Sequence, residues 1–184
     1  MNWKESLKKY EPINEQELAD KISMCNLLSN FDDILTRKNT IAHITCSSLA
    51  FNKSHDKVLM VYHNIYDNWS LPGGHADGEE NFLDVAIKEI KEETGVKNIH
   101  VVNKNIISLD ILPVKSHIKN GKFISSHLHI SLVYLLEVDE NENLKVKEDE
   151  NSDVRWIDVN TVLDITKKEP HMQAVYKKIL SRNK

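Results

Sequence analysis

Residues 73–96 read "GGHADGEENFLDVAIKEIKEETGV", a glycine-rich loop followed by a helical pattern that ends in a group of carboxylates. Four of the five glycines in the 184-residue chain lie between residues 73 and 95. Glycine permits left-handed backbone and a close approach of the main chain to a ligand. The concentration of glycine therefore predicts a shaped binding loop that leads into a helix.

Three carboxylates crowd the end of this helix. Glu89, Glu92 and Glu93 fall within about one turn of each other, just before Gly95. Like charges three or four residues apart repel by roughly 0.2–0.5 kcal/mol per pair, and the C-terminal end of a helix dipole is itself partly negative. A group outside the helix is expected to compensate this repulsion.

The position of the carboxylates around the helix favours a site. A projection at about 100° per residue puts Glu89 and Glu93 on the same side as the apolar Phe82, whereas Lys88 and Lys91 point away. The alternative is a solvated acidic patch neutralised by those two lysines. The glycine loop that precedes the helix favours a binding site over that alternative.

Carboxylate oxygens without regularly spaced histidine or cysteine are typical ligands of a hard cation. They favour Mg²⁺ or Mn²⁺ over zinc. Mg²⁺ is usually held by a few carboxylates together with the phosphates of a substrate. The helix end therefore predicts phosphate chemistry.

Composition restricts the class of protein. With 40% hydrophobic and 28% charged residues, the chain is expected to fold as a globular protein. The net charge of -4 gives no global reason to bind a nucleic-acid polymer or an anionic membrane. Cys25 and Cys46 are too few for a disulfide framework. There is no apolar signal core and no apolar run of about 18 residues, so a cytoplasmic location is expected.

Residues 1–38 differ from the rest and predict a helical N-terminal extension to a domain covering 39–184. Pro12 separates a short first helix from a second, which Asn14 is expected to cap. The extension is expected to pack on the main domain or on a second subunit, which makes a homodimer possible. The predicted apolar stripe of the second helix consists of Leu18, Ile22, Cys25 and Leu28.

The remaining chain alternates between strand and turn patterns, with one central helix. The pattern indicates a mixed or antiparallel sheet, and the fold class is α+β. Strands are predicted over 41–51, 57–63, 98–114, 123–138 and 154–159, with closing helices over 160–165 and 171–180.

The loop and helix resemble the Nudix signature. That signature is G, five residues, E, seven residues, R-E, an aliphatic residue, any residue, E-E, any residue, G and an aliphatic residue. The residues in register are Gly74, Glu80, Lys88, Glu89, Ile90, Glu92, Glu93, Gly95 and Val96. One position departs from the pattern, because Lys88 stands where the family has Arg. Lysine keeps the charge but lacks the planar fork that binds a carboxylate through two bonds.

The resemblance implies a fold and a reaction. It implies an α/β/α sandwich around a mixed sheet, and hydrolysis of a nucleoside diphosphate linked to another moiety. The wider pattern from "HIT" at residue 43 to "HLH" at residue 127 is similar to a bacterial Nudix subgroup without an assigned substrate. The implied partner is a small-molecule nucleoside diphosphate derivative.

The resemblance also implies roles for individual residues. Glu89 and Glu93 would bind the metal, with Glu92 as a third ligand or as the base that activates water. The carbonyl of Gly74 is a further possible ligand, and Glu80 would orient the site. The residues nearest the substrate would be Gly73 and His75. Some family members take the base from a later loop, which here nominates Glu148 or Glu150.

Histidines form a second pattern. His127 and His129 alternate on a predicted strand and so face one side of the sheet, where His43, His63 and His75 could join them. Paired neutral imidazoles can bind transition metals. Histidines in sheets are more often hydrogen-bonded structural groups or substrate contacts.

Two other functions are compatible with the resemblance. A non-catalytic Nudix-like sensor would bind a nucleotide without cleaving it, although the intact glutamates argue against this. An isopentenyl-diphosphate isomerase would need a cysteine close to the signature, whereas Cys46 lies well before it. Hydrolysis is the leading prediction.

Overall fold

The computed structural model describes residues 3–119 and 121–182. The helices are α1 Trp3–Lys8, α2 Glu15–Asn30, α3 Phe82–Thr94, α4 Val162–Ile165 and α5 Pro170–Leu180, with a 3₁₀ turn at Val159–Thr161. The strands are β1 Ala42–Phe51, β2 Lys57–His63, β3 Asn68–Ser70, β4 Gly73–His75, β5 Ile99–Val114, β6 His117–Lys119, β7 Lys122–Ile124, β8 His127–Val138 and β9 Asn151–Asp158.

A mixed sheet of seven strands lies at the centre. Its order is β3-β2-β1-β8-β5, with β4 also paired to β1 and β9 to β2. The pair β1 and β8 is parallel, and the other pairs in this sheet are antiparallel. The strands β6 and β7 form a separate hairpin.

The central strand β1 has helices on both of its faces. Ile44 packs in one buried cluster with Phe82 and Ala86 of α3, whereas Leu49 packs in another with Tyr176 of α5. Because side chains alternate along a strand, these positions of opposite parity face opposite sides of the sheet. The predicted α+β class, with a sandwich around a mixed sheet, is confirmed.

The predicted elements differ from the observed ones mainly in the short strands. Residues 123–138 were expected to form one strand, but the chain breaks at Ser125 and Ser126 between β7 and β8. The predicted loop at 71–80 contains β4, which pairs with β1 from Thr45 to Ser47. A strand of three residues that begins with two glycines has no pattern that sequence periodicity could detect.

The N-terminal helices pack on the sheet rather than standing apart. The Oδ1 atom of Asn14 accepts the backbone N–H of Glu17 at 2.8 Å and so caps α2, as predicted. The predicted apolar stripe was wrong for Leu18 and Ile22, which are 51% and 56% exposed, whereas Cys25 and Leu28 pack in the core. Leu28 is buried as predicted, and Glu17 and Met24 are the other buried residues of the helix. The division at residue 38 and the homodimer stay predictions.

A buried ion group explains why α2 buries the face that carries Glu17. The Nζ atom of Lys178, on α5, lies 3.0 Å from Glu17 and 2.6 Å from Asp110 of β5. All three side chains are almost completely buried. A buried acid is stable only when it is paired, so α2 turns Glu17 inward to meet Lys178.

None of the helices in the described part of the chain combines the length and the apolar character that a bilayer crossing requires.

Candidate functional site

Strand pairing holds the glycine loop against the helix. In the register between β1 and β4, Cys46 lies opposite Gly74 and Ser47 opposite Gly73. The hydroxyl of Ser48 donates to the carbonyl of Ala86 at 3.0 Å, which ties β1 to α3. The helix ends where Gly95 adopts a left-handed φ of 77°. These contacts bring the last turns of α3 beside the loop.

Glu93 is the most constrained carboxylate of the site. Its side chain accepts the backbone N–H of Gly73 at 2.7 Å on Oε2 and the Nδ2 amide of Asn151 at 3.0 Å on Oε1. Burial raises the pKa of Glu93 to about 7, although these two hydrogen bonds lower it in part. The carboxylate is therefore fixed in position, and it readily accepts a cation that offsets its burial.

Glu89 lies against the backbone of Gly74. A Cβ built on Gly74 would fall 2.3 Å from Cδ of Glu89, so only glycine leaves the carboxylate in place. Burial raises the pKa of Glu89, and the nearby Lys88 lowers it in part. The loop backbone and two buried carboxylates therefore meet in one small volume.

Two lysines lie close to the acids at the end of α3 and to Glu150. The Nζ atom of Lys88 lies 3.8 Å from Glu89 and 3.7 Å from Glu92. The Nζ atom of Lys147 lies 3.7 Å from Glu92 and 2.8 Å from Glu150. Burial would raise the pKa of Glu150, but the Lys147 ammonium outweighs it and lowers that pKa. The prediction that Lys88 points away from the carboxylates was therefore wrong, and part of the compensation comes from within the helix while Lys147 supplies another part from outside it.

A single cavity of about 340 Å³ collects most of the sequence-predicted residues. This volume is within the range of small-molecule sites. Glu80 and Glu148 are exposed and lie outside its wall. The predicted residues that line it are Gly73, Gly74, His75, Lys88, Glu89, Glu92, Glu93 and Glu150.

Some residues of this site were not predicted. Asn151, at the start of β9, contacts Glu93, and Lys147, in the segment before β9, contacts Glu92. Arg37, which also lines the cavity, forms an ion pair with Asp77 in the loop. Local sequence gives no signal for these contacts except the charge-rich segment "KVKEDEN" at 145–151.

The donor set suits a hard divalent cation. Glu89, Glu92 and Glu93 supply carboxylate oxygens, and Gly74, whose Cα lies close to the Glu89 carboxylate, lines the same cavity. Mg²⁺ and Mn²⁺ prefer such oxygen ligands. Both oxygens of Glu93 keep a free lone pair after their single hydrogen bonds, so the residues fit the ion.

Histidines from three adjacent strands meet next to the carboxylates. His43 of β1 lies opposite His129 of β8, and His75 lies at the end of β4. One ring nitrogen of each lies within 4.8 Å of the others. His127 is beside them, and its Nε2 atom lies 3.3 Å from Nε2 of His129. His63 does not join this group and stacks on Tyr66 instead.

The only cysteine near the loop is unsuited to proton transfer. Cys46 is fully buried in the apolar cluster beneath α3, and burial raises the pKa of its thiol. Its neighbours Thr45 and Ser47 line the cavity instead. The arrangement gives no support to the isomerase alternative.

Comparison with known proteins identifies relatives of the whole domain. A profile of the NUDIX domain matches residues 43–179. The "Probable DHNTP pyrophosphohydrolase" of Lactococcus lactis is 31% identical over 139 residues, which cover 74% of this chain and 78% of the relative. The RNA pyrophosphohydrolase of Pelagibacter ubique is 28% identical over 53% of this chain and 63% of its own length.

Solved structures support the fold. The dihydroneopterin triphosphate pyrophosphohydrolase of E. coli superposes with a TM-score of 0.54 at 14% identity. The match covers 76% of this chain and 95% of that structure. At this level of identity the likeness concerns the arrangement of helices and strands alone.

Proposed function

The chain belongs to the Nudix hydrolase family as a pyrophosphohydrolase, and we propose that it cleaves the diphosphate bond of a nucleoside diphosphate linked to another moiety, with Mg²⁺ or Mn²⁺ bound at the end of α3. The observation that carries the proposal is the convergence of Glu89, Glu92 and Glu93 with the backbone of Gly74 in one cavity. The cytoplasmic location stays a prediction.

The first task of the site is to bind an anionic diphosphate. Lys88, Lys147, Lys119 and Arg37 line the cavity and provide positive charge around the acidic centre. A bound divalent cation would neutralise phosphate charge and lower the pKa of a water molecule. Glu89 and Glu93 would hold that cation, because their carboxylates are buried and positioned by the loop.

The second task is to remove a proton from the attacking water. Glu92 is suited to this role because its side chain is 44% exposed at the cavity and lies at the end of α3 beside the two proposed metal ligands. Lys88 and Lys147 flank it at 3.7 Å and keep it oriented. Glu150, which Lys147 binds more closely, is the alternative base.

The size of the cavity suits a substrate, or the end of a substrate, about as large as one nucleotide. A volume of about 340 Å³ accommodates a group the size of a nucleotide or pterin phosphate. The names of the relatives suggest dihydroneopterin triphosphate and RNA 5′ ends as candidates. A substrate panel should contain both, together with nucleoside triphosphates, ADP-ribose, dinucleotides and sugar nucleotides.

Chromatographic detection of the phosphorylated products formed from each compound of this panel, with Mg²⁺ and Mn²⁺ compared, tests the proposal. We expect metal-dependent turnover of at least one compound and a loss of about a hundredfold or more in Glu93→Gln, because a fixed metal ligand is removed. Asp84→Asn is the matched control, since Asp84 is an exposed carboxylate at the start of α3 outside the cavity. Undiminished turnover in Glu93→Gln, or binding without any turnover, would refute the assignment.

A further inference from the structure

The histidine group of β1, β4 and β8 is not explained by diphosphate hydrolysis at the carboxylates. We propose that His43, His75 and His129 bind one transition-metal ion of the zinc class. His127, whose Nε2 atom lies 3.3 Å from Nε2 of His129, would move in from beside this group as the fourth nitrogen ligand. This site is separate in chemistry from the carboxylate site, because imidazole nitrogen suits zinc and its neighbours whereas carboxylate oxygen suits magnesium.

The ring of His43 is oriented as a metal ligand requires. Its Nδ1 atom lies 3.0 Å from the carbonyl oxygen of Asn39, and because a carbonyl only accepts, Nδ1 carries the hydrogen. In the neutral ring the lone pair is then on Nε2. That Nε2 atom is buried and has no hydrogen-bond partner among the described residues. A backbone carbonyl that fixes the tautomer in this way is a usual feature of histidine metal ligands.

His127 shows the same arrangement. Its Nδ1 atom donates to the carbonyl of Ser125 at 2.8 Å, which leaves the lone pair of Nε2 directed at the group. The distance of 3.3 Å from that atom to Nε2 of His129 is long for a hydrogen bond. It does match the edge of a tetrahedral zinc site, where Zn–N bonds of about 2.0–2.1 Å place neighbouring nitrogens roughly 3.3–3.4 Å apart.

Packing keeps the rings close without metal. The ring of His43 has its centroid 5.0 Å from His75, 4.8 Å from His127 and 5.0 Å from His129. Backbone pairing of β4 and β8 with β1 sets these positions, so only small side-chain movements are needed to close on an ion.

An ion at this position would be reached from the substrate cavity. His75 and His129 both line that cavity, whereas His43 lies behind them in the buried part of β1. The same cavity wall contains Glu89 and Glu93. The cavity wall therefore contains two ligand sets of different preference, carboxylate oxygens for a hard cation and imidazole nitrogens for a borderline one.

Zinc binding to the untagged, chelator-washed protein tests the proposal. After incubation with Zn²⁺ in excess Mg²⁺ and removal of free metal, elemental analysis should find about one zinc per chain. His43→Ala, His75→Ala and His127→Ala should each weaken zinc affinity at least tenfold in a competition with a chromogenic chelator. The matched control is His100→Ala, because His100 is exposed on β5 and outside the group. Co²⁺ should give the intense visible absorption of a four-coordinate site in wild type and in His100→Ala, but not in the variants of the histidine group.

Three outcomes overturn the proposal: less than one tenth of a zinc per chain in wild type, wild-type affinity in His43→Ala and His75→Ala, or loss of zinc in the Glu89→Gln/Glu93→Gln double variant. The last result would place the ion at the carboxylates. Retained affinity in His127→Ala would contradict the fourth ligand.

Because His75 is only partly buried, His75→Ala keeps the test valid if circular dichroism shows that His43→Ala is unfolded. Metal content is measured without substrate, so failure of the hydrolase assay leaves this result unaffected.

Discussion

The α-carbon of Gly74 lies so close to the carboxylate of Glu89 that a methyl group there would fall 2.3 Å from Cδ. Gly73 is crowded differently, because a methyl group there would meet the backbone oxygen of Cys46 at 2.6 Å. One glycine faces a movable side chain and the other faces a fixed strand. Substitution of Gly74 should therefore affect mainly activity, whereas substitution of Gly73 should affect mainly stability.

We expect Gly74→Ala to fold normally but to lose hydrolysis by at least about tenfold, because Glu89 must leave its position. Gly73→Ala should lose about 1–3 kcal/mol of unfolding free energy, because β1 cannot move aside. Urea denaturation and steady-state kinetics of both variants separate the two effects. Equal stability losses in both would contradict this distinction.

The stability of the metal-free protein should depend on the protonation of Glu93. Its pKa is about 7 when folded against an ordinary 4.5, so the folded state holds the proton more tightly. The corresponding stability is complete below about pH 4.5 and is lost as pH rises through 7. In chelator, wild type should lose up to about 3 kcal/mol more than Glu93→Gln between pH 5 and pH 8. If the difference in unfolding free energy between wild type and Glu93→Gln were the same at pH 5 and pH 8, the result would contradict a buried protonated carboxyl at Glu93.

The base can be identified by comparing three glutamates. Glu92→Gln should lower kcat by about a hundredfold or more, as expected for removal of a general base. Glu150→Gln should have a smaller effect through release of Lys147, and Glu148→Gln should have none because Glu148 is exposed outside the cavity. If Glu150→Gln shows the largest loss, the later segment supplies the base instead.

Lys88 tests the one departure from the family signature. Its ammonium is exposed and 3.7–3.8 Å from two carboxylates, so it orients them weakly. Lys88→Arg should preserve or raise kcat/KM, whereas Lys88→Ala should lower it by about tenfold. Lys91→Ala is the control, since Lys91 is exposed on the same helix and outside the cavity.

The buried ion group should dominate the stability of the N-terminal packing. Lys178→Met leaves Glu17 and Asp110 without their buried partner and should cost about 3–5 kcal/mol of unfolding free energy. Lys177→Met changes an exposed neighbour and should have little effect. Thermal unfolding of the two variants gives the comparison, and similar melting temperatures would contradict the role of Lys178.

Local sequence patterns were sufficient to predict the long helices and strands, and the part of the site that lies on the glycine loop and α3. The helix end at Gly95 and the strands β1, β2 and β5 follow from glycine and from apolar runs, and the spacing of Glu89 and Glu93 follows from helical geometry. Glu17 shows where this fails, because a charged residue was buried by a partner on α5. Glu17 and Lys178 are too far apart in the sequence for a local pattern to predict their pairing.

The rest of the site depends on contacts between distant segments. Asn151 reaches Glu93 from 58 residues away, and His43 meets His129 only because β1 and β8 are parallel neighbours. Glu148 and Glu150 are equivalent in sequence, yet the turn before β9 directs only Glu150 into the cavity. Strand register and turn direction decide these positions, and neither is encoded in local periodicity.

The pairing of β4 with β1 has a consequence for substrate selection. Gly74, which touches Glu89, and His75, which belongs to the histidine group, are consecutive residues of one strand held by backbone hydrogen bonds. The separation between the carboxylates and the histidine group is therefore fixed by the backbone of β4. Because this separation cannot adjust, we expect the enzyme to prefer phosphorylated compounds whose charged groups lie at a matching distance from one another.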